Sequence, residues 1–74
     1  MNIHIEYCIK WNYSPEFDRV SNIIKQFFPD TNIDGNKKYP RSGAFEVSIN
    51  GNLVYSKFKT GQFPNEKQIK NWFN

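Results

Sequence analysis

Apolar and polar residues alternate from Asn2 to Cys8: Ile3, Ile5 and Tyr7 fall on one side, His4 and Glu6 on the other. A repeat of two is the mark of a strand with one face on a core. The repeat lengthens after Ser14-Pro15-Glu16. Phe17, Val20, Ile24 and Phe27 recur at intervals of three, four and three, and Ile23 and Phe28 widen the stripe. That spacing predicts one apolar face of a helix of about 14 residues. Ser14 suits the cap, Pro15 the first helical position and Glu16 the positive end of the dipole. Phe28-Pro29 stops the helix, because a residue before proline is pushed out of the helical region.

Thr31-Asn32-Ile33-Asp34 holds one apolar residue and is a weaker strand candidate. Residues 35–43 read as loop from their glycine, proline and polar density. Ala44 to Ile49 alternates again, with Phe45, Val47 and Ile49 inward. Asn50-Gly51 follows, a strong hairpin signal, because a type I′ turn needs positive φ at both central residues. Asn52 to Phe58 returns as the partner strand. Residues 59–63 form a loop, Pro64 opens a last helix within its first turn, and Ile69, Trp72 and Phe73 mark that helix's inner face. The predicted order is β-α-β-β-β-α. It makes a single α+β domain over residues 1–74, with two helices on one face of a four-stranded mixed sheet.

A chain of 74 residues has a thin core, and its 18% aromatic content compensates, since each ring buries on the order of 150–250 Å². The net charge of +3 is modest, and only Lys37-Lys38 and Lys57/Lys59 are local concentrations of lysine. Such scatter fits a solvated surface better than a nucleic-acid footprint. A nucleic-acid binder of this class would show its sheet aromatics on an open face, whereas Phe45 shares a side with Val47 and Ile49. No apolar run reaches the roughly 18 residues that span a bilayer, so no membrane partner is expected. The chain does not open on a basic-then-apolar segment, and its single cysteine, Cys8, excludes an internal disulfide framework. Both point to a cytoplasmic location. His4 has no Cys or His partner at metal-ligand spacing. There is no phosphate-binding glycine loop, no acid–base carboxylate pair and no serine-nucleophile signature.

Cys8 stands between the first strand and the first helix, followed by Ile9-Lys10-Trp11. Taken alone, a lone cysteine is more often a small packing residue than a nucleophile. Its setting changes that weighting. The order of elements, Ile5-Glu6-Tyr7-Cys8, the helix ending at Phe28-Pro29, Gly43-Ala44-Phe45-Glu46-Val47, the Asn50-Gly51 turn, Ser56-Lys57, and Gly61-Gln62-Phe63-Pro64 together resemble the thioredoxin-like Rdx family, which includes selenoprotein W. The resemblance covers nearly the whole chain and implies a thioredoxin-like fold. It also implies thiol redox chemistry, with Cys8 on the first position of the family's Cys-x-x-Cys or Cys-x-x-selenocysteine motif. Trp11 falls on the second, where the sequence departs from the pattern.

Three readings of that departure stand side by side. Cys8 works alone, forming a mixed disulfide with glutathione or a protein thiol that an external thiol resolves; Lys10 and the following helix then favour the thiolate. Alternatively, position 11 was encoded as selenocysteine by UGA and read as Trp. In the third, redox function is lost and Trp11 with Tyr13 forms an interaction surface. Trp11 folded back onto the core as a plain cap is the bland counterpart. Glutathione enters only as a co-substrate, and no bound cofactor is expected. Lys10 and Tyr13, beside Cys8, are candidate substrate contacts, and so are Pro40, Arg41 and Ser42, since in thioredoxin-like folds the loop before the third strand faces the redox motif.

Overall fold

The structure, a computed structural model, describes residues 1–73. Its elements are β1 (Asn2–Tyr7), α1 (Ser14–Phe27), β2 (Asn32–Asp34), β3 (Phe45–Ile49), β4 (Asn52–Ser56), α2 (Lys57–Thr60) and α3 (Glu66–Asn71). The strands lie in the order β2-β1-β3-β4. β1 runs parallel to β2 and antiparallel to β3, and β3 is antiparallel to β4, so the sheet is mixed as expected.

The alternation of β1 explains its register. Ile3, Ile5 and Tyr7 face Ile49, Val47 and Phe45 across the β1–β3 ladder. Residues directly opposite share a face, so this pairing gathers the apolar set of both strands on one side. Val20 and Ile24 of α1 and Ile69 of α3 close over them, and Ile3, Ile5, Phe45 and Val47 are fully buried. Each such side chain contributes roughly 1.5–3 kcal/mol of transfer free energy. The other face of β1 carries His4 and Glu6 and stays outside this core.

The Asn50-Gly51 turn forms as its sequence dictates, with φ of 49° and 84° and Ile49 paired to Asn52. Asn50 also ties the turn to β1: its side-chain oxygen accepts from the Asn2 amide at 2.9 Å, and its own amide donates to the Asn2 carbonyl at 2.8 Å.

Four expectations need correction. The fourth strand stops at Ser56 rather than Phe58, and a short helix, α2, follows, giving three helices among the described residues. The break is local. Ser56 accepts from the Lys59 amide as an N-cap, Glu46 accepts from the Lys57 amide at 2.8 Å, and Gly61 closes the turn at φ 76°. Ser14 is a helical residue and does not cap: Tyr13 holds that position with no side-chain bond, its carbonyl accepting from Glu16 and Phe17. Pro64 lies before the last helix, buried; Asn65 is the cap, in a box with Gln68 that bonds both ways at 2.8 and 2.9 Å. Phe27 sits at the edge of its stripe and is exposed, with the Lys70 ammonium 4.3 Å from its ring centre.

Candidate functional site

Cys8 follows the last residue of β1, and its amide still donates to the Ala44 carbonyl at 2.8 Å, which extends the β1–β3 ladder by one step. The chain then turns sharply. Asn12 donates to the Ile9 carbonyl at 2.9 Å and adopts φ 58°, a left-handed conformation that asparagine tolerates better than most side chains. Tyr13 donates back to the Cys8 carbonyl at 2.9 Å, closing the loop on the cysteine. Within that closed loop the Trp11 amide donates to Cys8 Sγ at 3.4 Å. The thiol is free and 1% exposed.

Trp11 does not enter the core. It is 56% exposed, and its six-membered ring lies against Gly43, where an added Cβ would stand 2.9 Å from Cζ3. Gly43 has φ 79°, so the residue is required both by its backbone and by the ring above it. Tyr13 meets Trp11 edge-on at 6.3 Å between centroids, then Phe63 at 4.8 Å, and Phe63 meets the buried Phe45 at 5.4 Å. A run of aromatic contacts thus leads from the Cys8 loop to the core.

The remaining sequence candidates divide. Lys10 is exposed on the loop, and α1 begins six residues beyond Cys8. Ser42 is exposed and Pro40 is buried. Arg41 is not a free contact. Its backbone and side chain both donate to Glu6, with Nη2 at 2.7 Å from Oε1 and the amide 2.8 Å from Oε2, and its guanidinium stacks 5.0 Å from the Phe58 ring centre. The Arg41 hydrogen bonds hold the Glu6 carboxyl below its ordinary range, against the opposing effect of partial burial. Arg41 therefore fastens the loop to the outer face of β1 rather than reaching toward Cys8. Its carbonyl accepts from the Ala44 amide at 3.2 Å, so this anchoring positions Gly43 and Ala44 beside the cysteine.

Glu6 was legible only as an outward residue of an alternating strand, because its partner is 35 residues away. Asn36 lies in the stretch whose composition marks a loop, yet its side chain bonds both the amide and the carbonyl of Tyr7, at 3.0 and 2.9 Å, in the manner of one further strand residue. His4 bonds Asp34 at 2.6 Å across the parallel pair, and that contact lowers the Asp34 carboxyl. His4, Glu6 and residues 36–41 line a cavity of about 550 Å³ on the outer face. Among the described residues, no three His, Cys, Asp or Glu side chains are grouped to hold a metal, and no helix is long and apolar enough to cross a membrane.

A mixed four-stranded sheet with a cysteine at its β1–α1 junction defines a thioredoxin-like fold. The likeness extends to solved structures: a selenoprotein W-related protein from Vibrio cholerae matches with a TM-score of 0.75 at 21% identity, over 99% of this chain and 96% of that one. A protein from Bordetella parapertussis matches at 0.79 and 22%, over 95% and 89%. The model of the Rdx family spans residues 2–73, and the chain belongs to that family. It is 33% identical to migration and invasion enhancer 1 of Mus musculus over 69 residues, which is 93% of this chain and 58% of the relative. It is also 33% identical to selenoprotein W of Danio rerio over 58 residues, 77% of this chain and 67% of that protein. The chain thus spans under two thirds of the length of the first of these relatives.

Proposed function

We propose that the chain is a cytoplasmic thiol redox protein of the selenoprotein W type that acts through Cys8 on glutathione-linked or protein disulfides. The observation that supports this most is the Trp11 amide aimed at the Cys8 sulfur at 3.4 Å, in a loop that closes on Cys8 itself. A fixed N–H at the sulfur gives it a hydrogen-bond donor whenever it carries negative charge. That donor is backbone, so it survives the replacement of the family's second redox residue by Trp.

The chemistry then runs with one protein thiol. The Cys8 thiolate attacks the glutathione sulfur of a mixed disulfide, the S–S bond breaks, and the substrate leaves as a thiolate that takes a proton from water. With no thiol at position 11, a second glutathione attacks the Cys8–glutathione disulfide. That step releases glutathione disulfide and returns Cys8 as a thiolate. Across both steps the substrate sulfur leaves as a thiol, one glutathione thiol is oxidised in its place, and the disulfide bond passes to glutathione disulfide.

At 1% exposure, Cys8 reacts from a conformation in which its loop has opened. Exposure to glutathione disulfide should place one glutathione on wild-type Cys8 and none on Cys8→Ser, read by mass spectrometry. An iodoacetamide rate profile with a midpoint at or above about 8.5, together with no adduct, defeats the reading. The codon for residue 11 decides a related point: UGA with a selenocysteine-insertion element makes the centre a Cys8–selenocysteine pair, and UGG leaves Cys8 solitary.

The exposure of Trp11 beside Tyr13 favours a second reading, a redox-inactive interaction module. Under it, Cys8→Ser leaves partner capture intact and Trp11→Ala abolishes it.

A further inference from the structure

Lys57 stands out among the cations of the chain. Its ammonium lies 5.4 Å from the ring centre of Tyr13 and 5.3 Å from that of Phe63, and its residue is half-buried. Arg19, Lys37, Arg41 and Lys70 each pair with a carboxylate; Lys57 is among the lysines that do not, and among the described residues it is the cation held against two rings. Glu46 is engaged instead by the Lys57 backbone amide and the Ser56 hydroxyl. Two aromatic faces hold an ammonium in place by attraction to their electrons without neutralising its charge.

The position of that charge matters. Tyr13, on which it rests, donates its amide to the Cys8 carbonyl and packs on Trp11, whose amide meets Cys8 Sγ. Lys57 thus connects to the thiol through the rings of Tyr13 and Trp11 and then the Trp11 amide, so it borders the Cys8 loop at Tyr13. A tripeptide is at most about 10 Å long when extended, so a cation that anchors one end while its central sulfur meets Cys8 must border this loop.

We propose that Lys57 is a specificity-determining residue that receives a carboxylate of the disulfide substrate, so that the protein selects carboxylate-bearing small disulfides, glutathione disulfide among them, over neutral ones. This rests on Cys8 being the reacting thiol as proposed above. Lys57 takes no part in bond making: Cys8 attacks one sulfur of the disulfide, the other glutathione leaves as its thiolate, and the ammonium holds the carboxylate throughout.

The test compares mixed-disulfide formation at Cys8 with glutathione disulfide and with bis(2-hydroxyethyl) disulfide, which has no charge. The proteins are wild type, Lys57→Met, which keeps an apolar stem against Tyr13 and Phe63, and Lys57→Arg. Lys57→Met should lower the second-order rate with glutathione disulfide by about tenfold, the usual scale of one lost charge-assisted contact. Its rate with the neutral disulfide should stay within twofold, and Lys57→Arg should retain the preference. Added salt should narrow the wild-type preference and leave Lys57→Met unchanged. Equal losses with both disulfides, or no loss with either, overturn the assignment while leaving Cys8 as the thiol. A wild-type Cys8 inert to both disulfides overturns the assignment and the redox reading together.

Discussion

Replacing Gly43 with alanine tests how the site loop is built. Gly43 and Gly61 both hold positive φ, 79° and 76°, and differ in surroundings. A Cβ at Gly61 meets nothing within 4 Å, so Gly61→Ala isolates the backbone strain. A Cβ at Gly43 would stand 2.9 Å from Trp11 Cζ3. Carbon atoms rest at about 3.5–4.0 Å, so the ring must withdraw by about 0.6–1 Å and lose much of its contact with the loop. The left-handed conformation costs an alanine about 1–2 kcal/mol, partly offset by the smaller entropy of the unfolded chain. Gly61→Ala should therefore destabilise by about 1 kcal/mol and Gly43→Ala by about 2 kcal/mol. In a domain of this size each kcal/mol moves Tm by about 4–8 °C, so circular dichroism melts should separate the two variants by that interval. The excess at Gly43 belongs to Trp11, and the cycle with Trp11→Ala should return a coupling of about 1 kcal/mol. If the two glycine variants melt together, or the excess survives in the Trp11→Ala background, Trp11 does not constrain the loop and the description of the site is wrong.

Two further perturbations probe its anchoring. Glu6 has a folded-state carboxyl lowered by Arg41, so the pair's contribution is present above the ordinary carboxylate range and is lost as pH falls through the lowered value. Urea unfolding should accordingly show Glu6→Gln less stable than wild type at pH 7, by no more than about 1 kcal/mol because Arg41 is largely exposed, with the gap closing toward acid; a gap that persists at pH 2 refutes the assignment. Asn36→Ala leaves the Tyr7 amide and carbonyl without their side-chain partners, and a loss of about 1–3 kcal/mol is expected, with faster amide exchange at Tyr7; unchanged exchange there would show that water replaces the side chain fully.

Where sequence reading succeeded, the signal was local. The two-residue repeat of β1 and β3, the stripe of α1 and the Asn50-Gly51 turn each lie within a few residues of chain, and their backbone geometry follows from side chains a turn or a pleat away. The place of Cys8 at the first strand–helix junction is equally local, and the resemblance to the Rdx family rested on such pieces in order. The misplaced ends have the same origin. Ser14 and Pro64 carry the right propensities, but the cap is decided by which backbone groups are already bonded. Tyr13 is held to Cys8, and Asn65 with Gln68 satisfies α3. The Asn65-Glu66-Lys67-Gln68 pattern and Gly61 after Lys57–Thr60 were readable signals for α3 and α2.

The sequence by itself determined six of the seven elements, the inner face of β1 and β3 and the thiol at the head of the loop, because each depends on neighbours close along the chain. Tertiary structure alone decided that Trp11 lies over Gly43, 32 positions on, that Arg41 binds Glu6, and that Lys57 rests on Tyr13 and Phe63. Those contacts join residues whose separation carries no periodic trace. The β1–β3 ladder brings residues 41–44 beside Cys8, which is what lets Trp11 meet Gly43 and Arg41 meet Glu6.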